Sequence, residues 1–467
     1  MRVAYVSSDP GVPVFGRKGS SVHVQAVLRE LVRGGAEVHV VTTRPGGDTP
    51  ADLADVVVHE VAVAPTGSTA EREVALREAD AQVDGVLAGI AAGGGLDLLY
   101  ERYSLWGTAA TAWASDAGVP SVLEVNAPLV VEQRTHRELV DEAGAERCAR
   151  AAIGAATAVV AVSGPVAAWA ADRAGGHPEK VHVLSNGVDT GRIVPAADRC
   201  GGRRDLTDSS RGRVHGRQGA LHFGRDTSAR RVRQVAPAFT VLFVGTLKPW
   251  HGLDVLVDAF AGLRARVPGA RLLLVGDGPG RGDVLALAHE RGVEGAVRAT
   301  GAVRPADVVR HLHDADVAVA PYPPLDDFYF SPLKVYEYLA AGLPVVASAV
   351  GELPDTLEHG DAGVLVPPGD ADALADALVA LAHDADRRAT LGARAREVAV
   401  ERHDWSVVVR RALGFAGVPW AEPVDTPVAE PTNRVSTGST NETRVSTGST
   451  SEDRVSTSST TGGGRHG

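Results

Sequence analysis

Cysteine is nearly absent: the chain of 467 residues has two, Cys148 and Cys200. Two thiols cannot staple a framework, which excludes a disulfide-built scaffold and points to a reducing compartment. Methionine occurs once and aromatic residues make up 4%. With 44% hydrophobic residues, the cores have to be packed mainly from Val, Leu and Ala. Positive charge is in deficit, 47 Lys and Arg against 58 Asp and Glu, for a formal net charge of −11. That excludes a nucleic-acid binder driven by overall charge. His/Cys spacing for zinc is missing. A charged n-region followed by an apolar run is missing too, since residues 1–7 read directly as a strand. The expected location is cytoplasmic, with peripheral contact at the inner face of a membrane left open. One stretch, 151–171, carries no charge over a bilayer-spanning length. Gly164-Pro165 interrupts it, and it reads as a helix end, a strand at 158–162 and a second helix.

The length exceeds one typical core, so two large domains are expected. Short Val-rich strands alternate with Ala-rich helical stretches. In the first half the strands fall at 3–7, 37–42, 56–63, 96–100, 121–125, 158–162 and 180–184. Helices are expected at 21–32, 70–91, 106–117, 135–152 and 165–173. A second series has strands at 240–244, 271–275, 297–300, 317–320, 345–347 and 363–366. Its helices fall at 252–266, 282–291, 306–313, 332–341, 371–383 and 384–401. Alternation with continuous apolar strands predicts parallel sheets covered on both faces, which bind ligands at the carboxyl ends of the strands. The fold class is therefore α/β, with domains at 1–190 and 238–402. Residues 196–237 between them form an Arg/Gly-rich insertion or linker. From 421 to 467 the composition is Ser, Thr and Gly, with Arg-Val-Ser-Thr recurring at 434, 444 and 454. No core is possible there, and disorder is expected.

The richest segment is 328–348. Three aromatics lead to Ser331-Pro332, a helix-start pair in which Ser caps and Pro needs no N–H. Gly342 and Pro344 stop the helix. Lys334 and Glu337 lie three apart and share one face near its start. That end favours an anion such as phosphate, and a carboxylate one turn in accepts from hydroxyls. A diphosphate on the amides with a ribose on Glu337 describes a nucleotide sugar.

This block resembles the donor-site signature of the family-4 retaining glycosyltransferases of the GT-B fold. The resemblance implies two Rossmann-like domains facing a cleft, a nucleotide-sugar donor held by the second and an acceptor by the first. That acceptor is a glycan, a lipid-linked sugar or a small molecule. It further implies transfer with retention, without a metal or other cofactor, and a last helix (403–418) that crosses back to the first domain. Ser331, Pro332 and Leu333 fall on the diphosphate-binding turn. The family often has a second acid eight positions before Glu337, where this chain has Tyr329. After strand 240–244 comes Gly245-Thr246-Leu247-Lys248, with His251 just before Gly252. Members commonly carry Arg and Lys where this chain has Thr246 and His251, so Lys248 is the expected replacement cation and Lys334 a second. Gly276-Asp277-Gly278-Pro279 resembles the family turn near the base. Gly16 and Gly19 sit in the loop that faces the cleft, ahead of His23. Asn126 replaces a His that contacts the transferred sugar, and Glu101 and Arg102 are acceptor-side candidates. Asp-x-Asp pairs at Asp314, Asp370 and Asp384 read as helix-end residues rather than metal ligands. The other readings are a different GT-B enzyme, such as a sugar-nucleotide epimerase or inverting transferase, and a non-catalytic nucleotide-sugar binder.

Overall fold

The computed structural model describes residues 1–196, 239–325 and 328–420. The insertion expected at 196–237, apart from Ala196 itself, and the tail at 421–467 lie outside the described residues.

The first lobe is built on seven strands: β1 (Arg2–Ser7), β2 (Glu37–Thr42), β3 (Val57–Glu60), β4 (Leu98–Arg102), β5 (Ser121–Val125), β6 (Ala158–Ala161) and β7 (Val181–Val183). They pair in parallel in the order β3-β2-β1-β4-β5-β6-β7. Val3, Ala4, Tyr5 and Val6 are all fully buried. Both faces of β1 are therefore covered, as an unbroken apolar run requires. The covering helices are α1 (Gly19–Arg33), α2 (Thr69–Ala92), α3 (Ala109–Ala117), α4 (Leu129–His136), α5 (Glu142–Ala155) and α6 (Gly164–Ala171). The single helix expected at 135–152 is thus two. The chain breaks before Asp141, whose carboxylate accepts from the Gly144 N–H at 2.8 Å and starts α5 afresh. The uncharged stretch 151–171 folds as the end of α5, then β6, then α6. No helix among the described residues is long and apolar enough to cross a membrane.

The second lobe has six strands: β8 (Thr240–Val244), β9 (Arg271–Val275), β10 (Val297–Ala299), β11 (Val317–Ala320), β12 (Val345–Ser348) and β13 (Val364–Val366). They are parallel in the order β10-β9-β8-β11-β12-β13. Around them pack α7 (Leu253–Arg266), α8 (Arg281–Glu290), α9 (Pro305–His313), α10 (Leu333–Ala340), α11 (Leu353–Thr356), α12 (Ala371–His383) and α13 (Ala385–Val398). Asp370 and Asp384 cap α12 and α13 through the N–H groups of Ala373 and Arg387, each at 2.8 Å.

The lobes are joined by more than the chain. A wide helical turn (Ala399–His403) follows α13, and α14 (Trp405–Phe415) then leaves the second lobe. Trp405, Val408, Val409, Ala412 and Leu413 enter the first lobe's core beside Val24, Val27 and Leu28 of α1. Each Val and Leu among them contributes roughly 1.5–3 kcal/mol on burial, so the return helix is fixed. Asp404 anchors its start by accepting from the N–H and hydroxyl of Thr190.

Candidate active site

Doubly wound sheets hold ligands where the strand order reverses, outside the carboxyl ends. Here the reversals lie between β1 and β4 and between β8 and β11. The two carboxyl edges face each other across a cleft of about 680 Å³, a size suited to a small organic ligand. Gly19, His23, Arg102, Asn126 and Asn186 line it from the first lobe. Gly245, Thr246, Gly276, Tyr322 and the stretch Ser331 to Lys334, with Glu337, line it from the second.

The second-lobe wall depends on bare backbone. Gly245 and Gly276 have φ of 145° and 137°, a region that favours glycine. A Cβ on Gly276 would run into the Gly245 carbonyl oxygen. Gly278 instead packs on Leu247, where a Cβ would lie 2.5 Å from the carbonyl oxygen. It shapes the turn and does not line the cleft. Helix α10 turns Val335, Tyr336, Tyr338 and Leu339 into the core and leaves Lys334 and Glu337 half-buried on the cleft side. The Lys334 ammonium has no hydrogen-bond partner among the described residues. It lies over the rings of Phe243, at 4.2 Å, and Tyr322, at 5.2 Å. Burial pulls Lys334 down to about 7, against the attraction of Glu337. Burial likewise pushes Glu337 up to about 7, against Arg192 and Lys334. Both groups are therefore poised near neutrality, each able to change charge when a ligand arrives.

Three second-lobe expectations need correction. Lys248 is not among the residues that line the cleft: its ammonium lies 4.5 Å over the ring of Trp250, which stands at the cleft edge. It lines a separate groove with Pro249, Leu253 and Asp254. The short turn Pro249–His251 brings His251 to the cleft in its place. The His251 Nδ1–H donates to the Thr246 carbonyl at 2.6 Å. Burial and the two nearby lysines hold His251 near about 4, so it is neutral at pH 7. Ser331 does not cap α10. Its hydroxyl accepts from the Asn186 N–H at 3.0 Å and pairs with the Tyr336 hydroxyl at 2.9 Å. The Asn186 side-chain amide donates to the Ser331 carbonyl at 2.8 Å. Interlobe bonding has taken the hydroxyl, leaving Pro332 at the cap position. Tyr329 also misses the cleft: it packs against the first lobe, and its carbonyl accepts from the Ser163 hydroxyl at 2.8 Å.

The first-lobe wall centres on a residue that sequence reasoning missed. Glu124, 4% exposed within β5, accepts from the Tyr100 hydroxyl at 2.7 Å and from Arg102 at 3.1 Å. It also bonds His23, at 2.9 Å, and the Asn126 amide. Burial alone would raise its pKa, but His23, Arg102 and Asn126 outweigh it and hold the carboxyl at about 2. The available signal was a lone acid inside the apolar run Ser-Val-Leu-Glu-Val. Three cleft residues are thereby fixed by one buried charge. Glu101 is not among them. Strand side chains alternate faces, and Glu101 points away from Arg102, 1% exposed. Burial, reinforced by Asp80, raises it to about 8, so it is neither a cleft residue nor half of a surface ion pair. Gly16 also lies outside the cleft lining: a Cβ there would meet Ser21 Oγ at 2.5 Å and Pro13 at 2.7 Å. Gly19 opens α1 and lies close to Leu333 of the other lobe, 3.5 Å from where its Cβ would be.

Residues 17–192 match the family described as Glycosyltransferase Family 4. Residues 238–384 match the one described as Glycosyl transferases group 1. The chain belongs to the family-4 glycosyltransferases. Its two Rossmann-like lobes are those of the GT-B fold. The sucrose-phosphate synthase of Thermosynechococcus elongatus superposes with a TM-score of 0.61 at 22% identity, covering 88% of this chain and 96% of that one. A D-inositol 3-phosphate glycosyltransferase of Corynebacterium aurimucosum is 28% identical over 435 residues, 87% of this chain and 93% of that one. A GDP-mannose-dependent alpha-(1-6)-phosphatidylinositol monomannoside mannosyltransferase of Mycobacterium tuberculosis is 34% identical over 179 residues. That match spans 38% of this chain and less than half, 46%, of the mannosyltransferase. Within this family-4 chain, the Lys334 and Glu337 pair stands on α10 at the cleft wall.

Proposed function

We propose that this protein transfers a sugar from a nucleotide-sugar donor to an acceptor hydroxyl, with retention of configuration and without a metal ion. One observation carries the reading: Lys334 and Glu337 share one face of α10 inside the cleft, both poised near neutrality, beside backbone that a ligand can approach closely. The first-turn amides of α10 and the Lys334 ammonium suit a diphosphate. Glu337 suits the hydroxyls of a ribose. When the bond from the anomeric carbon to the phosphate oxygen breaks, its electron pair leaves with the diphosphate, and these groups stabilise it. The acceptor oxygen bonds the anomeric carbon on the same face, and its proton passes to the departing phosphate oxygen. Arg17 and Arg102 are the cleft cations from the first lobe, so closing the lobes brings positive charge to the leaving group from both sides. Asn186 and Ser331 already bridge the lobes, and closure would exclude water.

A second reading has one observation behind it. The His23–Glu124 pair at 2.9 Å resembles a base with its orienting carboxylate, which would suit inversion. Proton NMR of the product separates the two, because retention and inversion give opposite anomers. The donor assignment is tested by calorimetry with UDP, GDP and ADP and their sugar conjugates in chelator. Glu337→Ala should weaken the preferred nucleotide by about 10- to 100-fold, the equivalent of losing a charged hydrogen bond. Unchanged affinity would remove Glu337 from the donor site. The M. tuberculosis relative is named for its GDP-mannose dependence, which makes that donor an early choice.

A further inference from the structure

The first lobe holds a second cavity, of about 340 Å³, that the donor assignment does not use. It opens along the same carboxyl edge. Ser8 to Pro10 follow β1, Ser104 to Gly107 follow β4, and Leu129 begins α4 after β5. The last two of these segments leave the sheet just after Arg102 and Asn126, which line the main cleft.

The walls carry more acid than base: the two buried charges are acidic, while Glu138 at the rim is exposed like the lining arginines and Arg77 stacks on the lining Trp106 at 4.6 Å. Asp9, Glu73, Asp80, Glu132 and Glu138 line the cavity, and Glu73 and Asp80 are buried. The opposing cations are Arg72 and Arg137, both solvent-exposed and therefore screened. Glu73 and Asp80 are held in place by backbone N–H groups, those of Val140 and Asp141 and those of Thr108 and Ala109 respectively. A metal is not the occupant these acids fit: no group of three His, Cys, Asp or Glu side chains among the described residues is placed to hold one. A separate observation points to a hydroxylated ligand. Ser104 lines the cavity, is 5% exposed, and its hydroxyl has no hydrogen-bond partner among the described residues. A buried hydroxyl left unpaired is costly, and a ligand hydroxyl would satisfy it.

We propose that this cavity is the acceptor subsite and that it selects a polyhydroxyl acceptor bearing a basic amine, of the amino-sugar or aminocyclitol class, over phosphorylated acceptors. The proposal rests on the transferase reading above. Carboxylates accept from both hydroxyls and ammonium groups, whereas a phosphate would enter against the acidic walls in partly water-excluded space.

The test is calorimetric titration of the full chain with three size-matched probes: glucosamine, glucose and glucose 6-phosphate. Glucosamine should bind about tenfold or more tighter than glucose 6-phosphate, as like-charge exclusion implies. The preference should shrink at about 1 M salt, where screening is short-ranged, and fall several-fold, roughly, in Glu132→Gln. Equal or tighter binding of glucose 6-phosphate overturns the proposal. So does the absence of binding by all three, or a preference that neither salt nor Glu132→Gln moves. Titrating UDP and GDP into the same sample reads the donor site separately. Nucleotide binding without probe binding defeats the cavity assignment alone, while the expected probe pattern without any nucleotide binding defeats the transferase reading and leaves the amine-selective cavity standing.

Discussion

Replacing Glu124 with Gln removes the single charge that holds the first-lobe wall together. The carboxyl sits at about 2 against an ordinary 4.5. At roughly 1.4 kcal/mol for each tenfold change in proton affinity, that displacement favours the folded state by about 3 kcal/mol at neutral pH. Removing one partner of a buried ion pair independently costs about 3–5 kcal/mol, and Arg102 would lose its carboxylate. Because the folded value is the lower one, the contribution is complete above 4.5 and is lost as pH falls toward 2. The stability gap between wild type and Glu124→Gln should therefore be about 3 kcal/mol at pH 7 and shrink to about half of that at pH 3. Urea unfolding at the two pH values measures it. Turnover should fall as well, since His23, Arg102 and Asn126 lose their common anchor, while nucleotide affinity, set in the other lobe, should stay within about threefold. A gap below about 1 kcal/mol at pH 7, or one that does not narrow in acid, would refute the account.

Lys334→Met should raise the melting temperature, because it replaces a buried amine that has no hydrogen-bond partner, and should weaken UDP or GDP by about tenfold or more. Below about 7 the Lys334 ammonium dominates but Glu337 is protonated as well, so the two titrations oppose each other in the wild type. In Glu337→Gln, where only Lys334 titrates, nucleotide affinity should be highest on the acid side and decline as pH rises through about 7, and a flat profile of that variant by calorimetry would exclude Lys334 from the phosphate site. Gly276→Ala places a Cβ against the Gly245 carbonyl oxygen at a φ of 137°, and should cost at least about 3 kcal/mol in urea unfolding. Lys248→Ala should leave nucleotide affinity within about threefold, as expected of a half-buried cation that does not line the cleft; a tenfold loss would return Lys248 to the donor site.

Much of the fold was legible because buried parallel strands have little compositional freedom. Strand β5 is bounded as expected at 121–125, and so are β2, β8, β9 and β11. The errors have physical causes. Strand β3 is shorter than the 56–63 expected, since it is an edge strand with one neighbour to pair with. The helix at 135–152 divides because Asp141 caps a new start, a local bond that periodicity does not register. The shared face of Lys334 and Glu337 on α10 was recognisable because residues three apart lie on one face in any helix.

Sequence by itself determined the α/β class, the two lobes, a helix after Pro332 and the pairing of Lys334 with Glu337 on it. These follow from local rules: apolar runs, helical period, and breakers such as Gly342 and Pro344. Tertiary structure alone decided that Lys334 faces the cleft while Lys248 lies over Trp250, and that Ser331 and Tyr329 serve the contact between lobes. It alone gathered His23, Tyr100, Arg102 and Asn126 around Glu124 from separate strands and a helix. A buried charge is tolerated only where several partners converge on it, and that convergence is set by sheet order and lobe packing rather than by any spacing along the chain.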